Sequence, residues 1–365
     1  MTAFAWPYRY ELLDGLRGVA ALLVVMHHIG LVTVGHFAVM TFFVISGYCI
    51  TASAESCRER GVGFLAFMSR RVRRIYPPYL CALLFFAVTR AVKAVLGGPN
   101  DLTRWSALEW LQNISLTQWL SLLVHPLPMS TQNPTLFVAA FWSLNYEEQF
   151  YLVIALCLVL ATRRGIPMVW PILALAAVGL AFNVLHPGNW DCGLFIEYWV
   201  HFALGSLLFY VLCKYPTARM RRVFAVSLSG LAAGLALCLL PWTPERIETQ
   251  RVFVELLVVL ALTLGLALVR PISGMLTGSR LWTPLAALGT ISYSLYLIHQ
   301  FNLTLVAGVA HRLLPAATPP LALRLAELPL HIGLAALFWR LCERPFIGRR
   351  PSSAPAPAPE AAAAL

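Results

Sequence analysis

Long apolar runs separated by short polar connections set the plan of this chain. Ten such runs occur, at roughly 14–34, 36–54, 75–96, 142–162, 167–185, 195–213, 222–241, 253–270, 282–310 and 318–342. Most are near the ~20 residues that an α-helix needs to cross the hydrocarbon of a bilayer. The pattern predicts an all-α polytopic membrane protein, a bundle of about ten transmembrane helices within a membrane-embedded domain at 1–350. A disordered Pro/Ala-rich tail is expected at 351–365. The first run carries Arg17, His27 and His28 and lacks a small-residue cleavage site, so it is read as a retained first span.

The connections alternate in charge. Those after the second, fourth, sixth and eighth runs, together with the two ends, hold nineteen of the 27 basic residues; the opposite side holds seven. The positive-inside rule places both termini in the cytoplasm of a bacterial inner membrane. The longest connection, about 97–141, then faces outward. It contains Trp105, Trp110, Trp119 and the stretch ISLTQWLSLLVHPLPM, which is short and ends in prolines, as an interfacial or re-entrant helix would.

Composition agrees with a membrane solvent. The chain is 59% hydrophobic and 12% charged, with mean hydropathy +0.73; a soluble domain carries about twice that charged fraction. The net charge of +11 is explained by loop orientation, so nucleic acid is not an expected partner and membrane lipids are. The eight cysteines show no CxxC spacing, which points to neither a zinc site nor a disulfide framework; no metal is expected.

Against this apolar background the ionisable residues stand out, because each costs a few kcal/mol inside a bilayer and is kept for function or for helix association. Arg17 and His28 are eleven residues apart, about three helical turns plus 20°, so they share a face about 16 Å apart. Asp14 lies near that face and His27 points away. Arg17 is expected at the cytoplasmic edge, with His28 near mid-membrane and Ser46-Gly47 at a similar depth. Ser46 is open to two readings, a catalytic serine or close helix packing at Gly47. Arg70, Arg71, Arg73 and Arg74 precede Tyr76-Pro77-Pro78-Tyr79. They read either as a loop anchor or headgroup site, or as a guanidinium fork for phosphates.

In FWSLNYEEQFYL, Tyr151 follows Glu147 by four residues and shares its face. Glu197 and His201 have the same spacing near the outer edge, where anchoring is expected. In SYSLYLIHQF, Ser292, Tyr293, Tyr296 and His299 form a polar stripe suited to a bundle interior, and Glu343 is placed to pair with a cytoplasmic arginine. The expected order by depth is arginines, then His28, then Glu147 and His299 outermost. Such a column suits group transfer across a bilayer or a proton-coupled transporter; the residues alone leave both open.

Six stretches, in order, resemble the acyltransferase-3 family of integral membrane acyltransferases. They are LDGLRGVAALLVVMHH, FFVISGY, RRVRRIYPPY, WSLNYEEQFY, SYSLYLIH and ERP, covering 13–346. The resemblance implies transfer of an acyl group, often acetyl, from acyl-CoA such as acetyl-CoA to a hydroxyl of a carbohydrate, with a glycan or lipid-linked sugar as acceptor. It implies essential roles for Arg17 and His28 and a donor role for Arg70, Arg71 and Arg74. Glu147, Ser292, Tyr293, His299 and Glu343 also match family positions.

Overall fold

The computed structural model describes residues 8–98, 101–128, 133–185, 190–238, 240, 243 and 251–347; the tail expected at 351–365 lies outside them. Among the described residues the regular structure is helical, apart from a two-residue antiparallel ladder pairing β1 (Leu127–Pro128) with β2 (Trp190–Asp191). In order the helices are α1 (Leu12–His28), α2 (Gly35–Glu59), α3 (Phe64–Val95), α4 (Ala107–Ser115), α5 (Trp119–Val124), α6 (Trp142–Arg164), α7 (Val169–Leu185) and α8 (Trp199–Phe209). There follow α9 (Ala218–Cys238), α10 (Arg251–Val269), α11 (Ser273–Thr277), α12 (Trp282–Thr290), α13 (Ser292–Ile298), α14 (Leu303–Leu313) and α15 (Pro320–Phe338).

Among the described residues, six helical stretches are long and apolar enough to cross a membrane, those containing α2, α3, α6, α9, α10 and α15. They present large apolar side chains outward, among them Leu84, Val88 and Val92 of α3 and Leu321, Leu325 and Leu337 of α15. Surfaces of that kind belong in lipid rather than water. This is an integral membrane protein.

Several of the ten expected runs are built differently, three of them in ways that shape the site. The first ends at His28, because Gly30 adopts φ +76° and closes a helix-ending motif in which Gly30 N–H bonds His27 O at 3.0 Å and Leu31 N–H bonds Met26 O at 2.8 Å. The third begins earlier, since the four arginines lie on the opening turns of α3 rather than in a loop. Pro77 and Pro78 sit inside that helix and deprive the carbonyls of Arg73 and Arg74 of their usual donors. The ninth is no single helix: it breaks at Ile291 and again across His299–Asn302.

Glycines bring the central backbones together. A Cβ on Gly47 would lie 2.0 Å from Phe202 O and one on Gly205 1.9 Å from Val44 O, which seals α2 against α8. Gly18 and Gly289 do the same for α1 and α12, with 2.1 Å to Leu285 O and 1.9 Å to Asp14 O. Packing is thus one purpose of Ser46-Gly47. Between these pairs, Tyr48, Phe43, Phe150, Phe202 and Phe209 fill the core.

Candidate active site

A ladder of polar side chains runs down the interior and can be ordered by its contacts with α2. At one end, the His27 ring packs on Gly35. Beside it the His28 ring meets His299 edge to face, centroids 4.8 Å apart. In His28, Nδ1 donates to Val24 O at 2.9 Å; in His299, Nδ1 donates to Tyr296 O at 2.7 Å. A carbonyl only accepts, so in the neutral rings each proton is on Nδ1 and the basic lone pair on Nε2.

Two turns further along α2, Phe42 packs against Tyr296. The Tyr296 hydroxyl donates to Ala140 O and accepts from Ser143 Oγ at 2.7 Å. Next, Ser46 Oγ donates to Glu147 Oε1 at 3.1 Å, and the Tyr151 hydroxyl donates to the same oxygen. Last, Ser53 Oγ accepts from Arg71 Nη2 at 2.5 Å. Tyr293 lies within electrostatic reach of Glu147, Tyr151 and Glu343, and its hydroxyl donates to Ile75 O at 3.0 Å.

This order changes the expected depths. His27 packs on Gly35, so Ser46, eleven residues along α2, is about 16 Å from the histidines rather than level with them. Glu147 sits with Ser46 between the histidines and the arginines, not beyond His28. The cause is the Gly30 turn, which puts His28 at the end of its helix.

At the arginine end the guanidinium groups of Arg70, Arg71 and Arg74 have different neighbours. Arg70 is exposed and its Nη2 approaches Cys57 Sγ at 2.9 Å. Arg71 is half-buried beside Tyr151, and Arg74 and Arg17 are both within electrostatic reach of Glu343. Neither Arg17 nor Arg74 makes an ion pair within 4.0 Å among the described residues. Glu343 is buried at the close of a π turn, Trp339–Glu343, and accepts from Ser294 Oγ at 2.5 Å. The partner expected for it was an arginine.

Other expected residues lie elsewhere. Ser292, also buried, donates back across the break to Gly289 O of α12 at 2.8 Å, and Ser294 is the serine that meets Glu343. Asp14 pairs with Arg9 at 2.8 Å on a half-exposed surface. Glu197 and His201 do not pair: the Glu197 carboxylate accepts from the Tyr146 hydroxyl at 3.1 Å and Cys192 N–H at 2.6 Å. His201 is buried near Glu255, which His36 Nε2 approaches at 2.7 Å.

Several buried polar residues do not stand out in the sequence pattern: Glu55, Glu255, Glu327, Asn302 and His331. The signal they carry is the same as that of His28, an ionisable or amide group inside an apolar run. Tyr76, whose hydroxyl reaches the Glu148 carboxylate, is visible there only as part of the proline motif. No group of three or more His, Cys, Asp or Glu among the described residues is arranged to hold a metal ion.

The long connection ends against this ladder. Ala140 N–H bonds Gln300 Oε1 at 2.6 Å while its carbonyl takes the Tyr296 hydroxyl. Its helices α4 and α5 are short, and α4 opens with a capping box between Ser106 and Glu109. Tyr79 fastens it to α3 through Asn113 O at 2.5 Å.

No solved structure matches the chain. The BcsY protein of Komagataeibacter xylinus, which carries the name of a membrane-bound transacylase, is 30% identical over 294 residues, 79% of this chain and 71% of BcsY. The O-acetyltransferase OatA of Staphylococcus aureus is 28% identical over 169 residues, 42% of this chain; the chain spans about a quarter of OatA, 26%. Protein 2 of the picA locus of Rhizobium radiobacter is 33% identical over 149 residues, 39% of this chain and 78% of that protein. The sequence profile of the acyltransferase domain matches residues 10–340. That match takes in α1 through the opening of the Trp339 π turn, nearly the whole ladder, and so the chain belongs to the acyltransferase-3 family of integral membrane acyltransferases.

Proposed function

We propose that the protein is a membrane O-acyltransferase that moves an acetyl or other short acyl group from acyl-CoA to a hydroxyl of a cell-envelope or secreted carbohydrate. The observation that carries this reading is the ladder itself, with two basic imidazole nitrogens at one end and guanidinium groups free of ion pairs among the described residues at the other. Arg17, Arg71 and Arg74, with Arg70 at the flank, take the phosphates of the donor, for which charge-assisted forked bonds suit arginine. The acyl-bearing arm then lies along Ser46, Glu147, Tyr151 and Tyr293 toward the histidines. His28 Nε2 takes the proton of the acceptor hydroxyl as its oxygen attacks the thioester carbonyl. The new C–O bond forms, the C–S bond breaks, and the CoA thiolate leaves and is protonated. In the membrane the arginine end faces the cytoplasm of a bacterial inner membrane and the histidine end faces outward.

The test uses purified protein with labelled acetyl-CoA and an envelope glycan extract. Label should pass to the glycan; His28→Ala should abolish transfer, and His27→Ala, whose exposed ring packs on Gly35 at the very end of the ladder, should retain most of it. Equal loss from both would remove His28 from its role. Movement of glycan across vesicles without any acyl transfer would make the protein a transporter.

A further inference from the structure

At and beyond His28 the interior holds polar atoms that have no partner of their own. His299 Nε2, His331 Nε2 and Asn302 Oδ1 are all buried without a hydrogen-bond partner, on residues 0%, 1% and 1% exposed. Leaving such atoms unpaired costs a few kcal/mol each, so a ligand or water belongs there. Topology brings two of them to one level of the bundle. Helices α14 and α15 form an antiparallel hairpin closed by residues 314–319, and eleven residues back from either edge of that turn are Asn302 and His331. Asn302 also follows His299 by three residues and fixes its amide by donating to Ile298 O at 2.9 Å, leaving Oδ1 as a pure acceptor. His331 lies within electrostatic reach of His299.

Resting on the acyl-transfer reading, we propose that Asn302, His331 and His299 form the seat of the acceptor hydroxyl, next to His28. The donor and acceptor inventory selects the group. His299 Nε2 and Asn302 Oδ1 accept, and His331 Nε2 donates in the tautomer that carries its proton there, so an occupant that satisfies all three both donates and accepts. A hydroxyl does both; an ammonium only donates and a carboxylate only accepts. Seated there, the hydroxyl oxygen lies beside the His28–His299 ring pair. The charged groups near the seat also lie on α15 and its hairpin: Glu327 one turn from His331, with Arg324 and His311 near Glu327. Arg324 Nη1 donates to Gly30 O at 2.7 Å and so ties the mouth of the hairpin to the turn after His28.

The experiment measures thiol release from acetyl-CoA by the full-length protein in lipid nanodiscs, with methyl α-D-glucopyranoside and glycerol as hydroxyl probes. For His331→Leu and Asn302→Leu the KM for the probe should rise about tenfold, the loss of one buried hydrogen bond, with the acetyl-CoA KM unchanged. His331→Gln, which keeps a donor, should recover part of the loss and guards against misfolding. Variants that melt earlier yet keep the wild-type probe KM would mean that the seat holds only a structural water, which overturns this inference and leaves acyl transfer standing. Variants whose acetyl-CoA KM rises equally would make the three residues scaffolding, and would overturn the seat while acyl transfer stands. Wild-type protein that releases no thiol with either probe would overturn the acyl-transfer reading and this one with it.

Discussion

At the scale of single residues, the arginines carry the sharpest expectation. Topology counts charge, whereas phosphate recognition counts geometry, so lysine separates the two. Arg71 is half-buried on Ser53 Oγ and Arg74 lies near Glu343, so Arg71→Lys and Arg74→Lys should each raise the acyl-CoA KM about tenfold or more, at about 1.5–3 kcal/mol per charge-assisted bond. Arg70 is turned toward Cys57 Sγ, so Arg70→Lys should cost much less. Added salt should weaken donor binding in the wild type. Lysine variants with wild-type donor kinetics would return all three to a role in orientation. Residue relations confined to one regular helix are legible in the sequence. Tyr151 does bond Glu147, and Arg17 and His28 do share α1. Relations crossing an irregular turn are not. The break at Ile291 turns Ser292 back to Gly289 O, and the π turn at Trp339–Glu343 adds a residue that sets Glu343 against Ser294.

At the scale of elements, helix existence is legible in the sequence and helix ends are less so. The apolar runs locate the long helices, since in lipid each span must satisfy its own backbone. Gly30 is the signal for the end of α1. It moves His28 from the middle of a span to a helix terminus and shifts the order of the ladder. The arginines on α3 resemble a loop because of their charge density, although arginine is a good helix former. The glycine contacts yield a stability expectation. Gly205→Ala sets a Cβ 1.9 Å from Val44 O and should destabilise by about 1–3 kcal/mol, read as a lower Tm in detergent. Gly230→Ala, in α9 with nothing within 4 Å, should leave Tm unchanged or raise it through better helix propensity. Equal effects at the two sites would mean that α2 and α8 do not depend on this approach.

For the whole molecule, the proposed sidedness rests on two independent features. The first is internal. Trp105 packs on Phe86 and Phe137, and Phe86 also meets Phe301, two residues after His299, so the long connection lies at the histidine end. Glu343, near the last described residue, lies by Arg74 and Arg17 at the arginine end. The two segments therefore sit at opposite ends of the bundle however many helices cross it. The second feature is the distribution of basic residues, which chooses the arginine end for the cytoplasm. Reporter fusions at Trp105 and at the C-terminus should report the outer and cytoplasmic sides respectively. Both on one side would contradict the packing of Phe86 and Phe301 against the long connection, and with it the separation of donor from acceptor along the ladder. Opposite sides in the reverse sense would keep the ladder and invert its use, with the arginines facing outward, away from the cytoplasmic pool of acyl-CoA, so the donor would have to be another anionic acyl carrier.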